Sequence, residues 1–267
     1  MGIGEGLRDS RGEAVSARTH ADREILYGVH PVAECIRAGR RKVRRIRISE
    51  PRRLKALEEL TGKRLSDLVE HADRRSLDRE AGSGHHQGVL AWVGPYPYVD
   101  WRDLITGSGR LLLLLDNLTD PQNVGAILRT AHCAGVTGVT LRSHHAATIT
   151  PAVAKASAGA VEHLSIGLVS NQSMVLRACG EEGFTRLALD MAGEPLWEAP
   201  VPWKENLACV VGAEDKGVSR LVGGHCDLRV AIPMKGTLDS LNASVAAALV
   251  LFEAARHRHN LSKGSSA

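Results

Sequence analysis

Apolar residues along this chain follow two periods, and together they sort it into two α/β stretches. In the first stretch, residues 43–49 alternate, with Val43, Arg45 and Arg47 set against Arg44, Ile46 and Ile48. This is the pattern of a strand with isoleucines on one face and charge on the other. Tyr27-Gly-Val-His-Pro-Val-Ala-Glu-Cys-Ile36 reads as a turn entering a short helix, 54–60 has helical character, and Val89–Val93 closes the unit as a second strand.

From residue 111 onward, strands and helices alternate. The run Leu111–Leu115 is far too short to span a bilayer and suits a parallel strand buried on both faces. A helix is expected over 121–134, with Asp120 as its N-cap, Pro121 at its first position and Gly135 just past its end. A strand at 138–141 and helices at 151–157 and 173–182 come next, the last closed by Gly183. Strands at 186–189, Leu207–Val211 and 228–232 lead to a long helix at 243–258. Repeated βα units imply a parallel sheet covered on both faces. Prolines and glycines cluster at 94–98 and 106–109, which places a linker at 96–110. The expected plan is a flexible tail at 1–22, a small α/β unit at 23–95, the linker, a larger α/β domain at 111–260 and a second tail at 261–267.

Composition narrows the chemistry. The chain has 267 residues, a formal charge of +4 and a pI of about 8.9, which permits a nucleic-acid partner without requiring one. Nine lysines or arginines and one glutamate lie between Arg37 and Arg53. Such a run is either a solvated face or a phosphate-binding surface. Residues 1–20 hold no apolar run and do not read as a signal peptide. The five cysteines, Cys35, Cys133, Cys179, Cys209 and Cys226, are scattered without a C-x-x-C pair. They are expected as reduced thiols in a cytoplasmic protein. The pairs His85-His86 and His144-His145, and His257 with His259, lack a matching second set at ligand spacing, so no metal is expected. They read as exposed loop or RNA-facing groups.

Three segments could carry chemistry. The first, Leu115-Asp-Asn-Leu-Thr-Asp-Pro-Gln-Asn-Val-Gly-Ala-Ile-Leu-Arg129, runs from a buried strand into a helix, where open α/β sheets place ligands. Asn123 falls in the first turn, and Arg129 lies about 9 Å further along the axis. Helical side chains lean toward the N-terminus, so a long arginine can reach back to the strand ends. A plain capped helix with a surface arginine would show the same residues. The second segment, Val210-Val-Gly-Ala-Glu-Asp-Lys-Gly-Val-Ser219, has neither the triphosphate-loop nor the dinucleotide-loop glycine order. Gly212 would let the backbone approach a flat ligand, and Glu214 is an acid at a strand's C-terminal end. The third, Val230-Ala-Ile-Pro-Met-Lys-Gly-Thr-Leu-Asp-Ser-Leu-Asn-Ala-Ser244, places Ser240 and Asn242 before a helix, with Asn242 a natural N-cap. That helix is apolar nearly all round, which suggests burial against a second subunit.

In this order the three segments resemble the SpoU (TrmH-like) family of RNA ribose 2'-O-methyltransferases. Thr119-Asp-Pro-Gln-Asn-Val-Gly-Ala-Ile-Leu-Arg129, Val211-Gly-Ala-Glu214 with Gly217, and Ile232-Pro-Met-Lys-Gly236 with Ser240-Leu-Asn-Ala-Ser-Val245 carry the likeness. Tyr27-Gly-Val-His-Pro-Val and His86-Gln-Gly-Val look like the substrate-binding unit of the RlmB-type branch, which methylates a guanosine of 23S ribosomal RNA. The resemblance implies a trefoil-knotted parallel-sheet domain, an exception to the rule against threading. It also implies a homodimer packed through the knot, an L30e-like unit that grips RNA, and S-adenosylmethionine as cofactor. Carried over by position, Gly212, Ile232 and Leu241 would contact the cofactor, while Asn123, Arg129, Glu214, Ser240 and Asn242 would form the catalytic group. The chain departs from the family pattern at Ser143-His-His-Ala-Ala-Thr-Ile-Thr150 and by an extra acid in Gly236-Thr-Leu-Asp239. Both places bear on the target nucleotide. Methylation of another rRNA or tRNA nucleotide, including one that protects against an antibiotic, is an alternative. A non-catalytic RNA-binding or ribosome-assembly protein is another.

Overall fold

The computed structural model describes residues 23–143, 146–214, 216–237 and 240–259. Both expected tails, His144, His145 and Asp239 lie outside them.

The first unit is a four-stranded sheet flanked by helices. Its strands are β1 (Glu24–Tyr27), β2 (Val43–Ile48), β3 (Val69–His71) and β4 (Val89–Val93), in the order β1-β4-β2-β3. β4 runs antiparallel to both neighbours, and β3 is parallel to β2. The helices are α1 (Val29–Ala38), α2 (Pro51–Thr61) and α3 (Arg74–Ala81). Ile46 and Ile48 are buried as the alternation requires. Val43 also packs on the core, against the expected phase, because the register shifts between Val43 and Arg45. One extra residue in a strand turns the later side chains to the other face.

The second unit is an all-parallel six-stranded sheet. It comprises β5 (Leu111–Leu115), β6 (Gly138–Arg142), β7 (Ile166–Val169), β8 (Thr185–Pro195), β9 (Leu207–Val211) and β10 (Leu228–Ala231), in the order β10-β8-β9-β5-β6-β7. Every leucine of β5 is buried, as a central parallel strand demands. α5 (Pro121–Cys133) begins where expected, with the Asp120 carboxylate accepting from the backbone N–H of Gln122 (3.0 Å) and Asn123 (3.4 Å). α6 (Pro151–Ala156) and α7 (Gln172–Glu181) complete the crossovers, and α8 (Arg220–Gly223) is a single turn. α9 (Ala243–His259) packs on α5 and buries Ala243, Ala247, Val250, Leu251 and Ala254. Val245, Leu249 and Phe252 form a separate stripe that stays exposed. Among the described residues no helix is long and apolar enough to cross a membrane.

The stretch at 96–110 is packed chain. Trp101 and Leu104, on the short helix α4 (Trp101–Leu104), are buried against β7 and β6. The Tyr96 hydroxyl donates to the carbonyls of Val161 (2.8 Å) and Leu164 (3.1 Å). One apolar cluster runs through both units, from Leu26 and Ile46 to Leu113 and Val153.

The basic run is largely consumed by this architecture. Arg40 donates to the carbonyls of Glu162, Leu164 and Pro97 across the junction. Arg41, only 5% exposed, bonds Gly94 O and bridges Glu162 and Glu24. Arg37 pairs with Glu34, Arg45 with Glu70, Arg47 with Glu80 and Arg52 with Glu50. Of the run, only the side chains of Lys42, Arg44 and Arg53 have no hydrogen bond or ion pair among the described residues. The reading of His86 as an exposed loop group is also corrected. It is fully buried, accepting at Nδ1 from Gly88 N–H (2.9 Å) and meeting Asp78 through Nε2 (2.9 Å).

Candidate active site

The C-terminal ends of β5 and β9 bring the first two segments together, and the start of α9 brings the third. The Asn242 side-chain amide donates to Asn123 Oδ1 (2.9 Å) and to Glu214 Oε2 (3.2 Å). Asn123 Nδ2 reaches the same Glu214 oxygen at 3.4 Å. Three expected catalytic residues, separated by 91, 28 and 119 positions, thus form one polar cluster. Asn242 also caps α9, since its Oδ1 accepts from Ser244 N–H at 2.9 Å. The foreseen cap is made by the oxygen end of its amide, while the nitrogen end serves Asn123 and Glu214.

Beside the cluster lies a cavity of about 230 Å³ lined by Gly212, Ile232 and Leu241, with Glu214 and Ser240 at its walls. The three expected cofactor contacts therefore share one space. Leu189, Asp190 and Met191, in the middle of β8, line it too. Nothing in the hydropathy of β8 marked them. A second cleft, of about 780 Å³, adjoins it and is lined by Asn117, Asp120, Asn123, Glu214 and Lys216. Glu214 belongs to both spaces.

Gly212 also has a steric reason to lack a side chain. A Cβ there would stand 2.0 Å from the backbone of Gly217, because the loop folds back on itself. Gly217 N–H closes that turn onto Ala213 O at 2.7 Å, with Gly217 at φ 61°. The missing side chain makes room for the protein's own loop, which then presents Glu214.

Asp116 was missed as a site residue. It is 1% exposed, and its carboxylate accepts from Ser219 N–H (2.9 Å) and from Asn117 Nδ2 (3.2 Å). It ties the far end of the Glu214 loop to β5. Its signal was visible: a carboxylate placed directly after a five-leucine strand must find hydrogen-bond donors.

Arg129 is not gathered with the others. It is exposed on α5, lines neither space, and makes no hydrogen bond or ion pair among the described residues. Six residues at 3.6 per turn set it roughly 120° around the helix from Asn123. Its expected reach to the strand ends is not realised within one chain. Among the described residues no group of His, Cys, Asp and Glu could hold a metal ion. Burial pushes the thiols of Cys35, Cys179 and Cys209 up to about 12, so they stay protonated.

Comparison with known proteins is consistent across its length. Residues 110–252 match the SpoU rRNA Methylase family, and residues 25–99 match the family described as RNA 2'-O ribose methyltransferase substrate binding. A Staphylococcus aureus protein named as a TrmH family tRNA/rRNA methyltransferase is 36% identical, covering 89% of this chain and 97% of its own. A Mycolicibacterium gilvum protein named as a tRNA/rRNA methyltransferase is 36% identical over 89% of this chain and 77% of its own. Among solved structures, the SpoU methyltransferase AviRb from Streptomyces viridochromogenes, in complex with S-adenosylmethionine, superposes with a TM-score of 0.74. It is 25% identical and covers 94% of this chain and 100% of its own. An RNA methyltransferase of the TrmH family from Porphyromonas gingivalis gives 0.70 at 26% identity, covering 91% and 93%.

Proposed function

We propose, for a chain that belongs to the SpoU family of S-adenosylmethionine-dependent RNA 2'-O-ribose methyltransferases, that the acceptor is the ribose of a guanosine in 23S ribosomal RNA. The Asn123–Glu214–Asn242 cluster at the mouth of the Gly212–Ile232–Leu241 cavity carries the reading of this face as the site of transfer. The choice of guanosine in 23S RNA is supported by Tyr27-Gly-Val-His-Pro-Val and His86-Gln-Gly-Val, which resemble the branch acting there.

The cavity suits the cofactor chemically. Val211, Ile232 and Leu241 offer apolar walls to a flat base, and Asp190 and Glu214 are acids on the lining near which positive charge is welcome. When bound, S-adenosylmethionine supplies an electrophilic methyl carbon. The protein must align a 2'-hydroxyl, a weak nucleophile at neutral pH, and stabilise charge as it develops on oxygen. Asn123 and Asn242 occupy Oε2 of Glu214, leaving Oε1 to accept a ribose hydroxyl and orient it. Ser240, on the cavity wall, takes part in holding the ribose. A guanidinium is a permanent cation, so the part of Arg129 is charge: it holds the phosphate beside the target and stabilises the 2'-oxygen. The displaced proton passes to that phosphate or to water.

Arg129 needs an acceptor face that its own chain does not present. Two copies packed through α9 would cover the exposed Val245, Leu249 and Phe252 stripe, and a homodimer is part of this reading. So are an L30e-like first unit, a knotted passage of the segment after β10, and a cytoplasmic place of work beside ribosomal RNA. Support for the knotted passage comes from Ile232, Met234, Ser240 and Leu241 lining one cavity with Gly212 and Val218.

Methyl-labelled cofactor incubated with protein-free 23S RNA and with tRNA tests the proposal. Label on a 23S guanosine ribose is expected. Label confined to tRNA, a second reading favoured by the names of the relatives, overturns the ribosomal assignment. Absence of label from both overturns the function.

A further inference from the structure

Most cations of the basic run are paired, yet the side chains of Arg53, Arg74 and Lys155 have no hydrogen bond or ion pair among the described residues. Arg53 and Arg74 line a cleft of about 410 Å³ on the first unit, together with His30, Ser49, Gln87 and Gly88. Neither guanidinium has a hydrogen bond or ion pair among the described residues, and Arg53 Nε is buried without a partner. Glu50 also lines this cleft, but the hydrogen bond from Arg52 holds its carboxyl below the usual carboxylate range, and Arg53 and Arg74 add to this through space. The one acid is thus ionised and already matched, leaving two cations in excess.

The cleft is built rather than incidental. Gly88, at φ 75°, lies against Ser49 and Arg53, and a Cβ on it would stand 2.3 Å from Ser49 Oγ. Ser49 N–H bonds Gly88 O at 3.0 Å. Fully buried His86 pins the turn, accepting from Gly88 N–H while its other nitrogen meets Asp78. Gln87 Oε1 takes Val29 N–H at 3.4 Å. The floor of the cleft is therefore fixed from three sides, with the arginines standing over it.

Its position in the fold says which macromolecule it meets. The chain from Pro151 to Leu164 returns from the C-terminal edge of the parallel sheet, where the catalytic cluster sits, to the edge where β7 starts. Contacts with the first unit are made near both ends of that path. Gly28 lies beside Lys155, 2.7 Å from Nζ to a Cβ built on the glycine. Glu34 then pairs with His163, Arg41 with Glu162, and Arg40 with Leu164 O. The Gly28 end, which carries the cleft, thus points toward the catalytic edge. The Lys155 side chain, without a hydrogen bond or ion pair among the described residues, stands between the two. A second basic hollow, lined by Arg23, Lys42, Arg44 and Trp92, occurs at the other end of β1 and β4 and faces away.

We infer that the Arg53–Arg74 cleft binds a backbone phosphate of the RNA substrate, holding the strand so that a ribose further along reaches the Glu214 cluster. This rests on the proposed RNA methylation and adds the place at which the substrate is gripped. Two guanidinium groups and a backbone turn exposed by a glycine suit a phosphodiester oxygen. Binding through them releases counterions, so it carries a salt dependence that each arginine contributes to.

The test uses the full chain and a fluorescein-labelled, protein-free 23S RNA transcript, titrated over a range of potassium chloride. The double variant Arg53→Gln/Arg74→Gln is expected to bind roughly tenfold or more weakly, with the slope of log affinity against log salt reduced by about 2. Arg53→Lys/Arg74→Lys should restore the slope. Arg23→Gln/Lys42→Gln/Arg44→Gln, at the far end, should stay within about twofold of the parent in the same assay. Cofactor titration and thermal melting should be unchanged in all variants, which separates loss of RNA grip from loss of fold. A double variant with the parent's affinity and slope overturns the inference, and so does a loss confined to the far-end triple variant. Should the parent methylate no RNA while the double variant still loses binding, the catalytic reading falls and this site stands.

Discussion

The arginines that tie the two units together and those left on the surface have opposite fates. At the junction, Arg40 and Arg41 are spent on carbonyls and on Glu162 and Glu24. Elsewhere, the side chains of Arg53, Arg74 and Arg129 make no hydrogen bond or ion pair among the described residues. Positive charge in a sequence is therefore not positive charge on a surface. What separates the two sets is whether the fold brings an acid or a bare carbonyl within reach. In β2 it does so for Arg45 and Arg47, two of the three arginines, because β3 and α3 carry Glu70 and Glu80 alongside.

The junction is the place to break this comparison with the largest effect. Arg41→Met should destabilise the protein by about 3–5 kcal/mol, because Glu162 would be left charged and buried without its cation. Urea unfolding measures it. A loss below about 1 kcal/mol would mean that the pair behaves like an exposed one and does not hold the units together. Cofactor affinity in the folded variant should be unchanged, since Arg41 is remote from the cavity lining.

At the edge, Asn242 separates a structural from a chemical role. Asn242→Asp keeps an oxygen to cap α9 but replaces the amide donor that serves Asn123 and Glu214 with a second negative charge. Turnover should fall by about 10²-fold, the scale for losing one placed donor, while stability changes by less than the roughly 1 kcal/mol of a lost cap. Asn242→Ala should show both losses. Equal turnover in the Asp variant and the parent would reduce Asn242 to a helix cap.

Arg129 gives a smaller and more selective effect. Arg129→Lys keeps the charge and loses the planar fork, so turnover should drop roughly tenfold with fold and cofactor binding intact. Near-parental turnover would make an arginine-specific role untenable. The same variant mixed with the inactive Asn242→Asp chain offers a sharper reading. If Arg129 of one copy serves the cluster of another, mixed dimers should regain activity that neither parent population has in proportion.

These contrasts also explain how much could be read from the chain beforehand. β5 and the capped start of α5 were legible because a five-leucine run and an Asp-Pro pair have few other uses. β3, with one half-buried valine, and α3, with Leu77 as its sole buried residue, leave almost no hydrophobic pattern to trace. β7 was missed because Gly167 interrupts it, and that glycine exists to admit Trp101. The site residues Asn123, Glu214 and Asn242 came from family likeness, since nothing local tells three distant polar residues that they will meet. The fate of the arginines was illegible for the same reason: pairing is a tertiary fact, decided by which acids arrive from elsewhere.

The smallest expected effect is the most informative about the junction. Burial raises the Glu162 carboxyl, and Arg41 only partly offsets it. A group whose folded pKa is raised contributes stability that is complete below its unfolded value and is lost as pH rises through the folded one. Ionised Glu162 is therefore a burden on the fold at neutral pH, although removing its partner would be worse. Glu162→Gln keeps an oxygen for Arg41 and leaves Glu24 to balance the cation, so its stability at neutral pH should lie within about 1 kcal/mol of the parent. Its standing relative to the parent should improve as pH rises from the acid range toward neutrality. Unfolding curves across that range check both statements. If the variant instead lost ground with rising pH, Glu162 would be stabilised as the anion, and the junction would be held by net electrostatic attraction rather than by the geometry of a satisfied arginine.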